Sequence, residues 1–206
     1  EWVDIPGGRA KLGQAPGAFG WDNEFPRHEV IVDGFRLARY KVTNGEYLRF
    51  VEAGGNPSHF WKRTSDGWTL RRMFDAVPLP LNDPVYLTYQ QAVAYARWVG
   101  ARLPTEAEWQ RAAYGSGART FPWGDAPPSA ARAQIDFVGW DTVPVSMHPA
   151  SATPEGVEQM LGNGWEWTAT PFGGFEGFQS RPYYRGYSAD FFDGAHFVLK
   201  GASVRT

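Results

Sequence analysis

Three helix starts of one kind are the strongest structural signal in this sequence. Each is a threonine followed three residues later by Glu or Gln, and the pairs are Thr43 with Glu46, Thr88 with Gln91, and Thr105 with Glu108. The threonine accepts a hydrogen bond from an unpaired amide of the first turn, and the longer side chain reaches back to the amide of the threonine. Glycines that can end such helices follow at Gly54-Gly55, Gly100 and Gly115. The sequence therefore predicts three short helices.

Apolar residues recur at helical spacing after each of these starts. The predicted buried faces are Tyr47, Phe50 and Val51; Ala92, Ala96 and Val99; and Trp109, Ala112 and Ala113. Extended segments are indicated at 2–8, where a short strand runs into a turn, and at 197–199. Two more are indicated at 30–32 and 35–37, which could be paired across a tight turn at Asp33-Gly34. The run at 197–199 lies close to Thr206, and we expect it to lack a neighbouring strand within this chain.

The rest of the chain is rich in glycine, proline and large rings. The 206 residues, which favour one domain, include 24 Gly, 16 Pro, 10 Trp, 9 Tyr and 14 Phe. Between residues 115 and 162 little helical period is present, and residues 171–194 are mostly glycine and aromatic. A long segment with so many rings is not typical of disorder, so residues 171–194 are predicted to form a binding surface.

Charge and cysteine content exclude several classes of function. Lys plus Arg number 20 and Asp plus Glu 22, for a net charge of −2, which does not fit a nucleic-acid-binding protein. No apolar run approaches the ~20 residues of a membrane span. The absence of cysteine excludes disulfides and thiolate chemistry within this chain. We expect a cytoplasmic protein.

Familiar catalytic motifs are missing from the sequence. The four histidines, His28, His59, His148 and His196, have no metal-binding spacing, and neither a nucleophile elbow nor a phosphate-binding loop is present. Asp193 and His196 could form a carboxylate–imidazole pair, or His196 could be a loop residue bonded to the backbone.

Aromatic residues and fixed charges are concentrated near the end of the chain. Trp165, Trp167, Phe191 and Phe192 could present ring faces to a cation, and Arg181 or Arg185 could bind a carboxylate. Such a pocket would suit a zwitterionic amino-acid ligand. The tryptophans could equally be core residues that hold loops together.

Five segments in order along the chain resemble the formylglycine-generating-enzyme (sulfatase-modifying factor) superfamily. They are VTNGEY at 42–47, RLPTEAEW at 102–109, FPWG at 121–124, GNGWEWT at 162–168 and VLKGAS at 198–203. The resemblance implies a C-type-lectin-like α+β fold, with short helices and short antiparallel strands, in a single domain over residues 1–206. A structural Ca²⁺ is also compatible with the superfamily.

Two further segments, WDNE at 21–24 and YRGYSADFFDG at 184–194, are most similar to the ergothioneine-pathway branch. The resemblance implies an iron(II)- and O2-dependent sulfoxide synthase that joins hercynine (trimethylhistidine) to cysteine or γ-glutamylcysteine. In that branch three histidines of an N-terminal DinB-like bundle hold the iron, so we expect the present chain to be a fragment lacking that bundle and a C-terminal strand. The copper-dependent branch needs two cysteines, which this chain does not have.

The resemblance also indicates where substrate should bind. Phe191, Phe192 and Asp193 are predicted to contact the amino-acid thiol and to form the wall beside the iron. The second choices are Asn163, Trp167, Phe172 and Phe175. Phenylalanine stands where some members carry a proton-donating tyrosine, so no catalytic residue is assigned. The alternative is a non-catalytic ligand-binding module of the same fold.

Overall fold

A computed structural model describes residues 1–117, 119–182 and 186–206. The three predicted helices are present as α1 (Asn44–Glu52), α2 (Tyr89–Trp98) and α3 (Glu106–Tyr114). Each is capped as predicted: the threonine side chain accepts a hydrogen bond from the third helical residue, and the Glu or Gln there accepts one from the threonine amide. None of the helices in the described part of the chain is long and apolar enough to cross a membrane.

Within the described residues, nine short strands pair antiparallel in four small sheets. The strands are β1 (Trp2–Ile5), β2 (Gly8–Leu12), β3 (His28–Val32), β4 (Phe35–Ala38), β5 (Trp61–Thr64), β6 (Gly67–Arg71), β7 (Ala76–Pro78), β8 (Gly164–Pro171) and β9 (Phe197–Ala202). Pairing joins β1 with β4, β2 with β3, β5 with β6 and β7, and β8 with β9 in the described residues. Most of these pairs connect segments distant in sequence, which makes long loops unavoidable.

Three expectations about these elements need correction. The strands on either side of Asp33-Gly34 exist but do not pair with each other, because β3 pairs with β2 and β4 with β1. The run at 197–199 does have a neighbour in this chain, since β9 pairs with β8. Val99, the residue that follows α2, is exposed rather than buried. Tyr95 occupies the buried face instead.

Two apolar clusters form the core. One surrounds α3, where Trp109, Ala112 and Ala113 pack with Ile5 and Met160. The other lies between α1, α2 and the β5–β6–β7 sheet and contains Tyr47, Trp61, Leu70 and Tyr95. Burial raises the pKa of Tyr47 to about 12, and its hydroxyl donates to the Asn56 carbonyl at 2.7 Å. Aromatic rings thus hold the loops to the helices, as the composition predicts.

Candidate functional site

The β8–β9 ribbon positions the segment predicted to bind a ligand. Its last paired residues are Pro171 and Phe197, and the Phe172 amide then donates to the His196 carbonyl at 2.8 Å. Loop 172–196 therefore starts and ends at the same point, directly beyond the ribbon. Within it a short 3-10 helix, Ala189–Phe191, precedes Phe192 and Asp193.

The structure brings two of the predicted phenylalanines together. The Phe192 ring lies edge-on to Phe172, with ring centres 5.3 Å apart, and edge-on to Phe178 at 5.1 Å. Phe191 is 47% exposed and has its ring 5.3 Å from that of His196. One member of the pair is therefore packed and the other is accessible, although they end a 3-10 helix rather than lie in extended chain.

Asp193 and His196 form the carboxylate–imidazole pair that the sequence left open. Oδ1 of Asp193 accepts hydrogen bonds from the Ala195 amide at 2.8 Å and the His196 amide at 3.2 Å. Nδ1 of His196 lies 3.0 Å from the same oxygen and 3.1 Å from Oδ2. The His196 ring and the amide of Ala195 hold the pKa of Asp193 below its usual value. His196 therefore lies between the two groups, bonded to the Asp193 carboxylate and edge-on to the exposed Phe191 ring.

Trp167 and Phe175 both contact residues outside loop 172–196. Trp167 donates from Nε1 to the Leu87 carbonyl at 3.0 Å, and its ring lies edge-on to Tyr89 at 5.7 Å. Tyr89 in turn stacks on Phe197 at 3.6 Å. Phe175 packs edge-on against His28 at 4.4 Å. Both residues are half-buried and support the walls of the loop.

Asn163 has no side-chain atom left for a ligand. It is fully buried, with φ = 59°. Its Oδ1 accepts from the Val143 amide at 2.9 Å, and Nδ2 donates to the Val143 carbonyl at 2.9 Å and to Gln159 Oε1 at 2.6 Å. Because these bonds fix one loop to another, we assign Asn163 to the structure of the domain and withdraw it as a substrate contact.

A second group of residues near the site was not predicted from the sequence. Ser188, one residue before the 3-10 helix, donates to Oδ1 of Asp22, and the rings of Trp21 and Tyr187 stack at 4.9 Å. The sequence did contain a signal for these contacts. Trp21 and Asp22 lie in segment 21–24, and Tyr187 and Ser188 lie in segment 184–194, the two segments that resemble the ergothioneine-pathway branch. Arg185, proposed above as a carboxylate ligand, lies outside the described residues.

The described residues do not fit a metal ion. Within residues 1–117, 119–182 and 186–206, His, Asp and Glu nowhere form a group of three or more that could hold one. The carboxylate of Glu166 is engaged by the ammonium of Lys41 at 2.8 Å, and Lys41 also donates to the Gln159 carbonyl at 2.7 Å. The described residues therefore offer no cluster of three His, Asp or Glu side chains to an iron or calcium ion.

Comparison with known proteins identifies the relatives of this chain. Residues 1–204 match the sulfatase-modifying factor enzyme 1-like domain. Hercynine oxygenase of Mycolicibacterium thermoresistibile is 40% identical, over 88% of this chain and 46% of the relative. Hercynine oxygenase of Mycolicibacterium smegmatis is 37% identical, over 98% of this chain and 53% of the relative. The chain thus spans about half the length of the curated relatives it matches.

Solved structures confirm the fold. PvdO from Pseudomonas aeruginosa superimposes with a TM-score of 0.66 at 22% identity, over 98% of this chain and 82% of PvdO. The similarity to PvdO and the domain match over residues 1–204 together confirm the predicted α+β fold with short helices and antiparallel strands. At this identity the likeness concerns the fold alone.

Proposed function

This chain belongs to the sulfatase-modifying factor enzyme 1-like family, and we propose that it is the substrate-binding domain of an oxidoreductase in ergothioneine biosynthesis. The proposed reaction is the O2-dependent joining of hercynine to cysteine or γ-glutamylcysteine through a new C–S bond, with oxidation of sulfur to the sulfoxide. The proposal includes a cytoplasmic location. It draws on the hercynine oxygenases at 37% and 40% identity.

The observation that carries the proposal is the arrangement at the end of the β8–β9 ribbon. An exposed ring, Phe191, lies edge-on to His196, whose imidazole bonds the carboxylate of Asp193, and the packed rings of Phe172 and Phe192 belong to the same loop. Ring faces and a carboxylate both attract cations, and a quaternary ammonium group such as that of hercynine is a favoured guest of aromatic faces. The same carboxylate can accept hydrogen bonds from the primary ammonium of an amino-acid thiol.

The roles of these residues are binding and orientation. We assign to the rings apolar contact with the substrate and to Asp193 the binding of one end of it. We propose that the iron is held by histidines of a DinB-like bundle of the same polypeptide, since the described residues contain no group that fits a metal. Iron would supply the dioxygen chemistry from there. Phe172 has no proton to donate, so we expect the proton donor to lie outside the Phe172–Phe192 wall.

The experiment that tests the site measures thiol binding by this chain. We expect Asp193→Asn to weaken the affinity for cysteine or γ-glutamylcysteine by about tenfold, as for the loss of one charge-assisted hydrogen bond. Asp66→Asn is the matched control, because Asp66 is an exposed residue in the turn between β5 and β6. Equal affinities of the Asp193→Asn variant and the wild-type chain would remove Asp193 from the site.

A further inference from the structure

Two loops of the domain carry an exposed apolar surface, which we call the aromatic surface. One loop is the turn between β6 and β7, and the other follows Gln134. The aromatic surface consists of five exposed side chains: Met73, Phe74, Phe137, Val138 and Trp140. Phe74 and Phe137 both lie edge-on to Trp140, with ring centres 5.5 and 5.7 Å from that of Trp140. None of these residues belongs to loop 172–196.

Polar contacts join the two loops to each other. The guanidinium of Arg205 donates to the Trp140 carbonyl at 3.3 Å and to the Met73 sulfur at 3.7 Å. Arg72, in the first loop, lies 3.9 Å from the carboxylate of Asp141, in the second. The rings are therefore presented on a connected framework, so ordering them costs little when a partner binds.

The second loop has a strained backbone where its exposed side chains begin. Asp136 and Phe137 have φ of 56° and 53°, in the left-handed region that residues with side chains rarely adopt. The Asp136 amide donates to the Thr206 carbonyl at 2.9 Å, and the Phe137 amide donates to the Val204 carbonyl at 3.0 Å. Strain of this kind is concentrated at functional sites, and here it accompanies a ring that is presented to solvent rather than to the core.

The area of the aromatic surface matches the centre of a standard dimer interface. Phe74 is 76% exposed, and the other four residues are between 49% and 62% exposed. At about 200 Å² for a fully exposed large side chain, the five together expose roughly 500–600 Å², which is at the upper end for an apolar patch on a monomer. An interface of about 800 Å² per partner that is about 60% apolar needs roughly 500 Å² of apolar area.

The charges at the edge of the aromatic surface are balanced. Four exposed side chains form this rim: Arg71, Asp75, Asp136 and Arg205. Arg71 and Asp75 flank the first loop, and Asp136 and Arg205 lie beside the second, so each loop has one cation and one anion. Such a rim does not favour a strongly acidic or basic partner. It is self-complementary, because an identical surface turned by 180° can place its cations against the anions of the first.

We propose that the aromatic surface is the interface of a two-fold symmetric homodimer. Phe74 and Trp140 of each protomer form the centre of this interface, and the four charged residues form its rim. A second copy is the partner that fits both the apolar area and the balanced charge, and two-fold homodimers are the commonest assemblies of soluble proteins. The inference goes beyond the proposed function and is independent of it, since it uses no residue of loop 172–196.

The first test measures the association of the protein expressed from its complete gene, by analytical ultracentrifugation over a range of concentrations. We expect a dimer, and we expect Phe74→Glu to raise its dissociation constant about hundredfold by placing an unpaired charge at the centre of the interface. Phe19→Glu is the matched control, because Phe19 is a 93% exposed phenylalanine outside the aromatic surface. The control should dimerise like the wild-type protein.

A second test changes only the rim. Asp75→Lys/Asp136→Asn makes the rim cationic, and asparagine tolerates the left-handed backbone at position 136. Arg71→Glu makes the rim anionic. At low salt we expect each variant alone to dimerise about tenfold more weakly than the wild-type protein, and an equimolar mixture with one variant fluorescently labelled to recover that tenfold as a heterodimer.

Three results would each overturn the proposal: a protein that stays monomeric at its highest soluble concentration, a Phe74→Glu variant that dimerises like the wild type, or a mixture of rim variants that associates no more tightly than either alone. A monomeric protein that still joins hercynine to a thiol would retain the proposed function and refute only the dimer.

Discussion

The ammonium of Lys41 offers the most clearly defined perturbation of this domain. It is 7% exposed and lies between the Gln159 carbonyl at 2.7 Å and the carboxylate of Glu166 at 2.8 Å. Glu166 belongs to β8 and also accepts from Trp109 Nε1 of α3 at 3.2 Å. Lys41 therefore bonds Glu166 of the ribbon that carries the candidate site, and Glu166 in turn contacts Trp109 of the apolar cluster around α3.

Replacing Lys41 by methionine should destabilise the domain substantially. Removing one partner of a fully buried ion pair costs about 3–5 kcal/mol, because the other charge stays buried. The Glu166 side chain is 27% exposed, so water recovers part of this cost. We therefore expect a loss of about 2–3 kcal/mol. For a chain of this size that lowers the midpoint of thermal unfolding by roughly 4–12 °C.

A second substitution separates the charge effect from simple loss of packing. Glu166→Gln keeps an oxygen that can accept from Trp109 but removes the negative charge. The double variant Lys41→Met/Glu166→Gln should therefore recover at least half of the lost stability, measured by denaturant unfolding of both variants. The reasoning is refuted if Lys41→Met unfolds at the wild-type midpoint, or if the double variant is no more stable than Lys41→Met.

Three other expectations concern stability and its dependence on pH. Thr105→Ala should cost about 1 kcal/mol in urea unfolding by removing the cap of α3, while Thr105→Ser should not; equal loss in both would contradict the capping account. Burial lowers the pKa of His148 below its ordinary 6.5, so the folded state favours the neutral ring. Protonation then favours unfolding, and the wild-type midpoint should fall from pH 7 to pH 5.5 more steeply than that of His148→Gln; parallel curves would refute this. Asn163→Ala should cost about 2–4 kcal/mol through its lost hydrogen bonds yet leave thiol affinity of the folded chain unchanged, and a selective loss of affinity would restore Asn163 to the binding site.

The helices of this domain could be predicted because their signals are local. The capping pairs, such as Thr43 with Glu46, lie within one turn, and each forms the bonds that the sequence predicts. The buried face of α3, with Trp109, follows from the 3.6-residue period in the same way. Val99 shows the limit of this reasoning, because it caps α2 at the position that helical spacing predicts and is nevertheless 42% exposed.

Strand pairing and the composition of the pockets depend on contacts between distant segments. Nothing near Asp33-Gly34 indicates that β3 and β4 pair with different strands. Their partners, β2 and β1, both end more than twenty residues before Asp33 in the sequence. The bond between Asp22 and Ser188 joins positions 166 residues apart. The buried hydrogen bonds of Asn163 could not be foreseen, because an amide that bonds backbone and one that binds substrate look the same in a sequence.

The most direct test of the central claim is product formation by the protein expressed from its complete gene. That protein is supplied with Fe(II), hercynine, dioxygen and either cysteine or γ-glutamylcysteine, and the products are followed by mass spectrometry together with oxygen uptake. We predict oxygen uptake that depends on the thiol and a sulfoxide in which sulfur is bonded to the imidazole of hercynine. Absence of both the coupled product and thiol-dependent oxygen uptake would contradict the assignment.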